Sequence, residues 1–333
     1  MRPTIALTGG SGFIGFSLAR YLAKYFNIRI LDIRQPDQAL GVGMSFQVCN
    51  VKNFEEVKKS LMNVDIVIHL AIIQIPTIND YKRLGYEVNI IGTQNVCKAV
   101  DENQRIKGMI LASSWHTMGE RGLKGIIDEE ISYNPDRVED RAKLYTLSKI
   151  AQEVIVRFYD RMSDKIYGII RLGTVLGEGM SEKTAANIFI EKGLRGEPIT
   201  PYKHSMYRPM LYVDMEDVCK AFKAYVLKIL KGEIRKEEND LAHIVNVFYP
   251  EPITILELAE IVREAIIKYC KIRPRIEIID LGIKSLFTKN DKKKFKVDIS
   301  KCKSFLGLTK LKSPKESIEH IVKARLSMLK ESS

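Results

Sequence analysis

The 333-residue sequence has one tryptophan, five cysteines and no apolar run approaching the roughly 20 residues that span a bilayer. Cys49, Cys97, Cys219, Cys270 and Cys302 are odd in number and far apart, with no C-x-x-C pair. That excludes a disulfide framework and the common zinc and thiol-redox spacings, so the thiols read as reduced and no metal is expected. The body of the chain also lacks a charge surplus. Of the formal net +12, residues 271–333 carry +10 (17 Lys and Arg against 7 Asp and Glu), which leaves about +2 for the first 270. The Lys-dense stretch 284–303 holds only Phe287 and Phe295 as aromatics, and no nucleic-acid-binding module frames it. It reads as a solvated basic face, and neither nucleic acid nor membrane is expected as a partner. A core strand begins within four residues of Met1, leaving no room for a leader, so a cytoplasmic setting is expected. With 45% hydrophobic and 28% charged residues the chain belongs among globular proteins.

What is present is an alternation. Residues 3–8 and 28–32 are short apolar runs, and 13–25 between them has helical spacing (Phe13, Ile14, Leu18, Tyr21, Leu22, Tyr25). Buried-type strands are predicted at 64–70, 108–113 and 166–172, with amphipathic stretches near 53–62, 80–103 and 142–162. Strand and helix in alternation predict an α/β fold, a doubly wound parallel sheet covered on both faces. After about residue 175 the rhythm loosens. Helices are expected over 214–232, 254–270 and 314–330, with a strand at 243–248. The domain reading is 1–175 for the sheet domain, with 205–248 returning to it in part. Residues 176–204 and 249–333 then form a smaller, interleaved substrate region.

Two patterns carry chemistry. The first strand runs into Thr8-Gly9-Gly10-Ser11-Gly12-Phe13-Ile14-Gly15, where a helix starts at once. Glycines there permit a tight turn and close approach of backbone to a pyrophosphate, and the helix N-terminus offers free N–H groups. Asp32 ends the next strand, where an acid meets the adenosine ribose, so a dinucleotide is expected and NAD is favoured over its 2′-phosphorylated form. Arg34 is the counter-signal. Further on, Tyr145-Thr146-Leu147-Ser148-Lys149 opens a predicted helix, placing Lys149 on the face of Tyr145. An ammonium there is expected to lower the phenol pKa and fit the tyrosine to act as a base. Ser113 and Ser114 end a buried strand at the carboxyl edge, where open α/β sheets bind ligands.

With these motifs in place the chain resembles the extended short-chain dehydrogenases/reductases, in particular the NAD-dependent sugar epimerase/dehydratase group and its UDP-glucose 4-epimerase-like members. The likeness includes His69-Leu70-Ala71, Asn89-Ile90-Ile91-Gly92-Thr93, Ser113-Ser114 followed by Gly119, and Arg171 through Gly177. It continues in Arg208-Pro209-Met210-Leu211-Tyr212-Val213-Asp214, Asn246, and Asp298 through Leu308. The resemblance implies a Rossmann domain, NAD as cofactor and a nucleotide sugar, UDP-linked, as substrate. It implies Ser114, Tyr145 and Lys149 as catalytic residues. Cofactor contacts would come from Gly9, Gly12, Phe13, Ile14, Gly15, Asp32, Leu70, Ala71, Asn89, Tyr145 and Lys149. Substrate contacts would come from Ser114, Thr174, Asn187 and Arg208, the last on a diphosphate. A homodimer is implied, through the Tyr145 helix and the helix near 90–103.

Departures from the group narrow the activity. Met118-Gly119 stands where many epimerases have Tyr-Gly, and the Thr-Asp-Glu sequence of hexose dehydratases is missing, which disfavours dehydration. Thr174 replaces a frequent asparagine. The Ser-x-His of Ser114 and His116 resembles uronate dehydrogenases, so His116 reads either as a substrate contact or as a surface loop residue. The leading expectation is an NAD-dependent nucleotide-sugar epimerase that oxidises a hydroxyl, holds the keto sugar and returns hydride to the other face. A dehydrogenase of a sugar acid or other secondary alcohol is the first alternative. A non-enzymatic dinucleotide sensor is the second.

Overall fold

Strands in which every residue is buried belong in the middle of a sheet covered on both faces. Three such strands lie side by side in the main sheet. In order, the computed structural model, which describes residues 2–236, 239 and 241–331, contains β1 (Thr4–Thr8), α1 (Phe13–Leu22), β2 (Asn27–Asp32), β3 (Met44–Val48), α2 (Phe54–Ser60), β4 (Ile66–His69), the short α3 (Thr77–Asp80) and α4 (Lys82–Tyr86), α5 (Gly92–Glu102), β5 (Gly108–Ser114), β6 (Gly125–Ile127), α6 (Lys143–Met162) and β7 (Ile166–Leu172). There follow β8 (Thr174–Leu176), α7 (Ala185–Leu194), β9 (Pro209–Met210), β10 (Tyr212–Asp214), α8 (Met215–Lys231), β11 (Ile244–Val247), β12 (Ile253–Thr254), α9 (Ile255–Tyr269), β13 (Phe295–Val297), α10 (Ser300–Leu306) and α11 (Pro314–Glu331). The buried strands at the sheet centre are β4, β5 and β7, and every residue of β11 at the sheet edge is buried as well.

The main sheet has seven strands in the order β11-β7-β5-β4-β1-β2-β3, with every pairing parallel. From β1 the chain first builds outward through β2 and β3, then crosses to β4 on the other side. The order therefore reverses between β1 and β4, which opens a crevice at their carboxyl ends. The apolar periodicity of α1 and α8 is spent against one face of the sheet, where Leu18, Leu22, Phe222 and Tyr225 are buried. On the other face Val96, Val100 and Val156 from α5 and α6 meet Val67, Met109 and Leu111. A separate cluster joins Trp115, Phe189, Phe248, Leu258, Val262 and Ile318, fastening α7, α9 and α11 together beside the carboxyl edge.

Two local expectations need correction. No strand was anticipated at Met44–Val48, an edge strand whose residues are all partly or wholly exposed and so leave only a weak apolar signal. The first helix ends at Leu22 rather than Tyr25, because Phe26 turns into the core as the chain enters β2. The 80–103 stretch divides into α4, a π-helical turn at Glu87–Ile91 and α5.

One ion pair ties these layers together. Glu153, on α6, is fully buried and receives Nη2 of Arg171 on β7 at 2.9 Å and its Nε at 3.1 Å. The same carboxylate accepts hydrogen bonds from Ser113 on β5 and, at 2.9 Å, from the Tyr133 hydroxyl. Removing one partner of a buried pair strands the other charge, at a cost of about 3–5 kcal/mol. Glu153→Ala is therefore expected to lower the thermal midpoint by many degrees, whereas Val42→Ala, at a side chain exposed to solvent, should change stability by no more than ~0.5 kcal/mol. Calorimetry that finds the two variants alike would refute this role.

Candidate active site

The turn after β1 is shaped by backbone contacts. Gly9 has φ +69°, and a Cβ there would lie 2.6 Å from the Ala71 nitrogen and 2.9 Å from the Leu70 carbonyl carbon. A Cβ on Gly15 would lie 2.4 Å from the Gly9 oxygen, so both positions need glycine for the fold itself. Gly12 is different. Its φ is an ordinary −74°, and a Cβ would meet only the Gly9 oxygen at 3.5 Å. Gly12 is also the N-cap of α1 and supplies no side-chain cap, and the first turn holds no acid, so its N–H groups lack a side-chain partner. Asp32 stands beside this turn at the end of β2. Its carboxylate accepts the backbone N–H of Ser11 at 3.1 Å and of Ile33 at 2.8 Å. Phe13 reaches across to the 177–179 loop, 3.5 Å from where a Cβ of Gly179 would lie. Across the crevice, Asn89 in the π-helical turn clamps the loop after β4. Its Oδ1 accepts from the Ile73 N–H at 2.7 Å, and its Nδ2 donates to the Ser148 hydroxyl at 3.0 Å. His69 is core: its ring nitrogens meet the Thr8 and Thr93 hydroxyls, and burial drives its pKa down to about 3.

Tyr145, Lys149 and Glu153 recur every four residues along α6 and so share the face turned to the end of β5. Tyr145 retains partial solvent access, and its ring lies edge-on to His116, two residues after Ser114. Lys149 is buried, and its Nζ donates to the Ala112 carbonyl at 2.7 Å. The expected effect of the lysine on the tyrosine is corrected here. Burial pushes the phenol up to about 12, against the opposing bond from Ser114, and pushes the ammonium down to about 7, against the pull of Glu153. The lysine is turned to a backbone carbonyl, and desolvation governs both groups.

The substrate-side residues are more heavily engaged than their sequence context implied. The Thr174 hydroxyl accepts from Trp115 Nε1 at 3.3 Å. Asn187 is buried, and its side-chain oxygen is taken by Arg325 from α11, which also pairs with Glu191. Arg208, expected on a diphosphate, is buried and ion-paired with Glu139, and among the described residues its Nε has no partner. The Glu139 backbone N–H donates to Glu120 at 2.9 Å, and Glu120 lies 3.2 Å from Nε2 of His116. His116 is therefore no surface loop residue: its ring sits edge-on to Tyr145, with centroids 5.9 Å apart. Glu120, Glu139 and Arg325 were not singled out from sequence. Only the four-residue spacing of His116 and Glu120 offered a signal.

The profile of the NAD-dependent epimerase/dehydratase family matches residues 5–237, and the chain belongs to that family. Among curated relatives, a Methanocaldococcus jannaschii protein with a provisional UDP-glucose 4-epimerase name is 28% identical over 228 residues, 65% of this chain and 71% of that protein. UDP-glucuronic acid decarboxylase 4 of Arabidopsis thaliana is 26% identical over 314 residues, 91% of this chain and 64% of its own length. Among solved structures, a UDP-glucose 4-epimerase of Thermotoga maritima with UDP-glucose superposes with TM-score 0.78 at 21% identity, covering 98% of this chain and 99% of that one. MoeE5 in complex with UDP-glucuronic acid and NAD gives 0.77 at 19% identity, covering 97% and 99%. These likenesses establish the shared Rossmann-type fold.

The enzyme is NAD-dependent, as its family is, and the residues at the crevice suit that cofactor. The space beside Gly12 and the side-chain-uncapped start of α1 fit a pyrophosphate, and the acid at the end of β2 fits an unphosphorylated ribose. The glycines separate two effects. Gly12→Ala is expected to keep the wild-type thermal midpoint while weakening NAD binding at least about tenfold, or ~1.4 kcal/mol, by calorimetric titration. Gly9→Ala should lose both stability and binding. Equal NAD affinity in Gly12→Ala and the wild type would contradict the cradle.

Proposed function

We propose that this enzyme epimerises a UDP-linked hexose at C4, with Ser114, Tyr145 and Lys149 as its catalytic residues. The observation that carries the reading is the meeting of three elements at one sheet edge. Ser114 ends β5, Tyr145 stands at the start of α6 with Lys149 one helical turn further along and bonded to the Ala112 carbonyl of the same strand, and the glycine turn opens on the same crevice. NAD bound there supplies the acceptor for the hydrogen that leaves the sugar carbon. Gly9, Gly12, Phe13, Ile14 and Gly15 would hold its pyrophosphate end and Asp32 its adenosine ribose. Leu70, Ala71 and Asn89 would form the opposite wall, and Lys149 would hold the nicotinamide ribose. Tyr145 takes the proton of the reacting hydroxyl, and Ser114 orients that hydroxyl and bonds the oxygen as charge develops on it. The same two residues return the proton once the sugar has presented its other face.

The UDP assignment draws on relatives named for UDP-sugars and on structures holding UDP-glucose or UDP-glucuronic acid. Thr174, Asn187 and Arg208 lie on the substrate side. The buried, unpartnered Nε of Arg208 is the donor it retains for a diphosphate. Among the described residues no disulfide joins any of the five cysteines, which suits a reducing, cytoplasmic setting. Among the described residues no helix is long and apolar enough to cross a membrane. A homodimer would cover the exposed stripe of Leu147, Val154 and Phe158 on α6 with Ile91 beside it.

Incubation with UDP-glucose and, separately, UDP-glucuronate should give the C4 epimer of one of them with no accumulating NADH. Accumulation equal to product would instead establish a dehydrogenase. Tyr145→Phe should keep NAD affinity and lose about 10²–10⁴-fold in kcat; retained turnover would remove Tyr145 from its role. Light scattering should report a dimer that Phe158→Glu dissociates, and a monomeric wild type would refute the interface.

A further inference from the structure

The C-terminal helix reaches the substrate side through one residue. Ile318, Ile321 and Val322 fasten α11 into the apolar cluster it shares with α9. One turn beyond them, Arg325 turns all three guanidinium nitrogens to acceptors on α7 and on the loop after β8. Its Nη2 donates to Oδ1 of Asn187 and its Nη1 to Oε1 of Glu191 at 2.5 Å, while Nε lies 3.7 Å from Oε2 of Glu178. The two carboxylates are still 43% and 33% exposed, and ion pairs so open to water contribute little to stability. The third acceptor is the buried carboxamide of Asn187. The backbone of that residue is held as well, since its N–H donates at 3.3 Å to the hydroxyl of Thr184, the N-cap of α7. Glu178 belongs to the 177–179 loop that Phe13 of the glycine turn meets, so Arg325 stands where the cofactor and substrate sides come together.

A carboxamide has two unlike ends: its oxygen accepts and its nitrogen donates. A guanidinium has donors alone, so its bond to Asn187 fixes which way the amide points. The oxygen goes to Arg325 and Nδ2 is the end that remains. Among the described residues Nδ2 makes no hydrogen bond. Asn187 and Glu191 stand four residues apart on one face of α7, and the planar fork of an arginine can serve both at once. A lysine in its place would be a point charge drawn to the carboxylates. Resting on the reading above that puts Asn187 on the substrate side of a UDP-sugar enzyme, we propose that Arg325 is a positioning residue for the nucleotide. It holds the Asn187 amide so that Nδ2 donates to an acceptor oxygen of the UDP moiety. In this role Arg325 touches neither substrate nor cofactor and acts through Asn187 alone. An amide that is not held must be turned the right way and immobilised as the ligand arrives, and that loss of freedom lowers affinity. The UDP end is the same in ground and transition states, so the effect falls on KM and not on kcat.

UDP itself is the probe, since its binding needs no turnover. Arg325→Lys keeps a positive charge beside Glu178 and Glu191 but loses the fork. In calorimetric titration of the full chain loaded with NAD, this variant should bind UDP about three- to tenfold more weakly than the wild type, with NAD affinity and thermal midpoint held. Asn187→Ala should weaken UDP binding at least as much. Adding Arg325→Lys to it should weaken binding no further, because the group through which the arginine acts is gone. On whichever UDP-sugar the wild type turns over, KM of Arg325→Lys should rise by the same factor with kcat unchanged. A second readout needs no ligand. The NH2 signals of Asn187 in nitrogen-15-labelled protein, assigned by their loss in Asn187→Ala, should show an order parameter near that of rigid backbone, ~0.85, in the wild type and below ~0.6 in Arg325→Lys. Equal UDP affinity in Arg325→Lys and the wild type, additive losses in the double variant, an amide equally rigid in both proteins, or a loss confined to the midpoint each overturns the proposal and leaves the epimerase reading standing. Wild-type protein that binds no UDP overturns the UDP reading and the proposal with it.

Discussion

The site depends on how α6 is seated against the sheet, and that seating is electrostatic. Apolar contacts seat a helix by shape alone. A buried carboxylate adds a directional demand, since its oxygens must find donors in a medium that stabilises charge poorly. Glu153 finds them in Arg171 of β7, Ser113 of β5 and Tyr133. Four residues toward the helix N-terminus, Lys149 is anchored to the Ala112 carbonyl of β5, and four further lies Tyr145, against Ser114. One stripe of α6 is thus registered, position by position, to the last three residues of one strand.

A second polar row branches from the same serine and runs away from the sheet through His116 and Glu120 to Glu139 and Arg208. Its members come from loops, yet each is buried or nearly so. Burial sets the electrostatics of the first row: it holds Tyr145 as a neutral phenol and brings Lys149 to about 7. The second row ends on the arginine assigned to the substrate side, giving the sheet edge and the substrate region a common network.

The sheet was legible in the sequence because its central strands are continuous apolar runs and its first turn is rich in glycine. Edge strand β3 was not, since half-exposed residues carry little pattern. Within the site, the positions of Ser114, Tyr145 and Lys149 could be read because local spacing fixes them on one edge and one helical face. Their ionisation could not: the four-residue spacing of Tyr145 and Lys149 says they are neighbours, but not that the ammonium prefers the Ala112 carbonyl. Partners distant in sequence were equally hidden. Arg325 reaches Asn187 across 138 positions, and Arg208 reaches Glu139 across 69. No local pattern marks such pairs, because only the closed fold brings them together.

Isotope tracing tests the central claim most directly. With UDP-glucose or UDP-glucuronate, whichever the enzyme turns over, deuterated at C4 and a catalytic amount of NAD, the account predicts the C4 epimer still carrying deuterium at C4, with none in water and none accumulating in free cofactor. Deuterium collected stoichiometrically in released NADH, alongside an oxidised sugar, would contradict it.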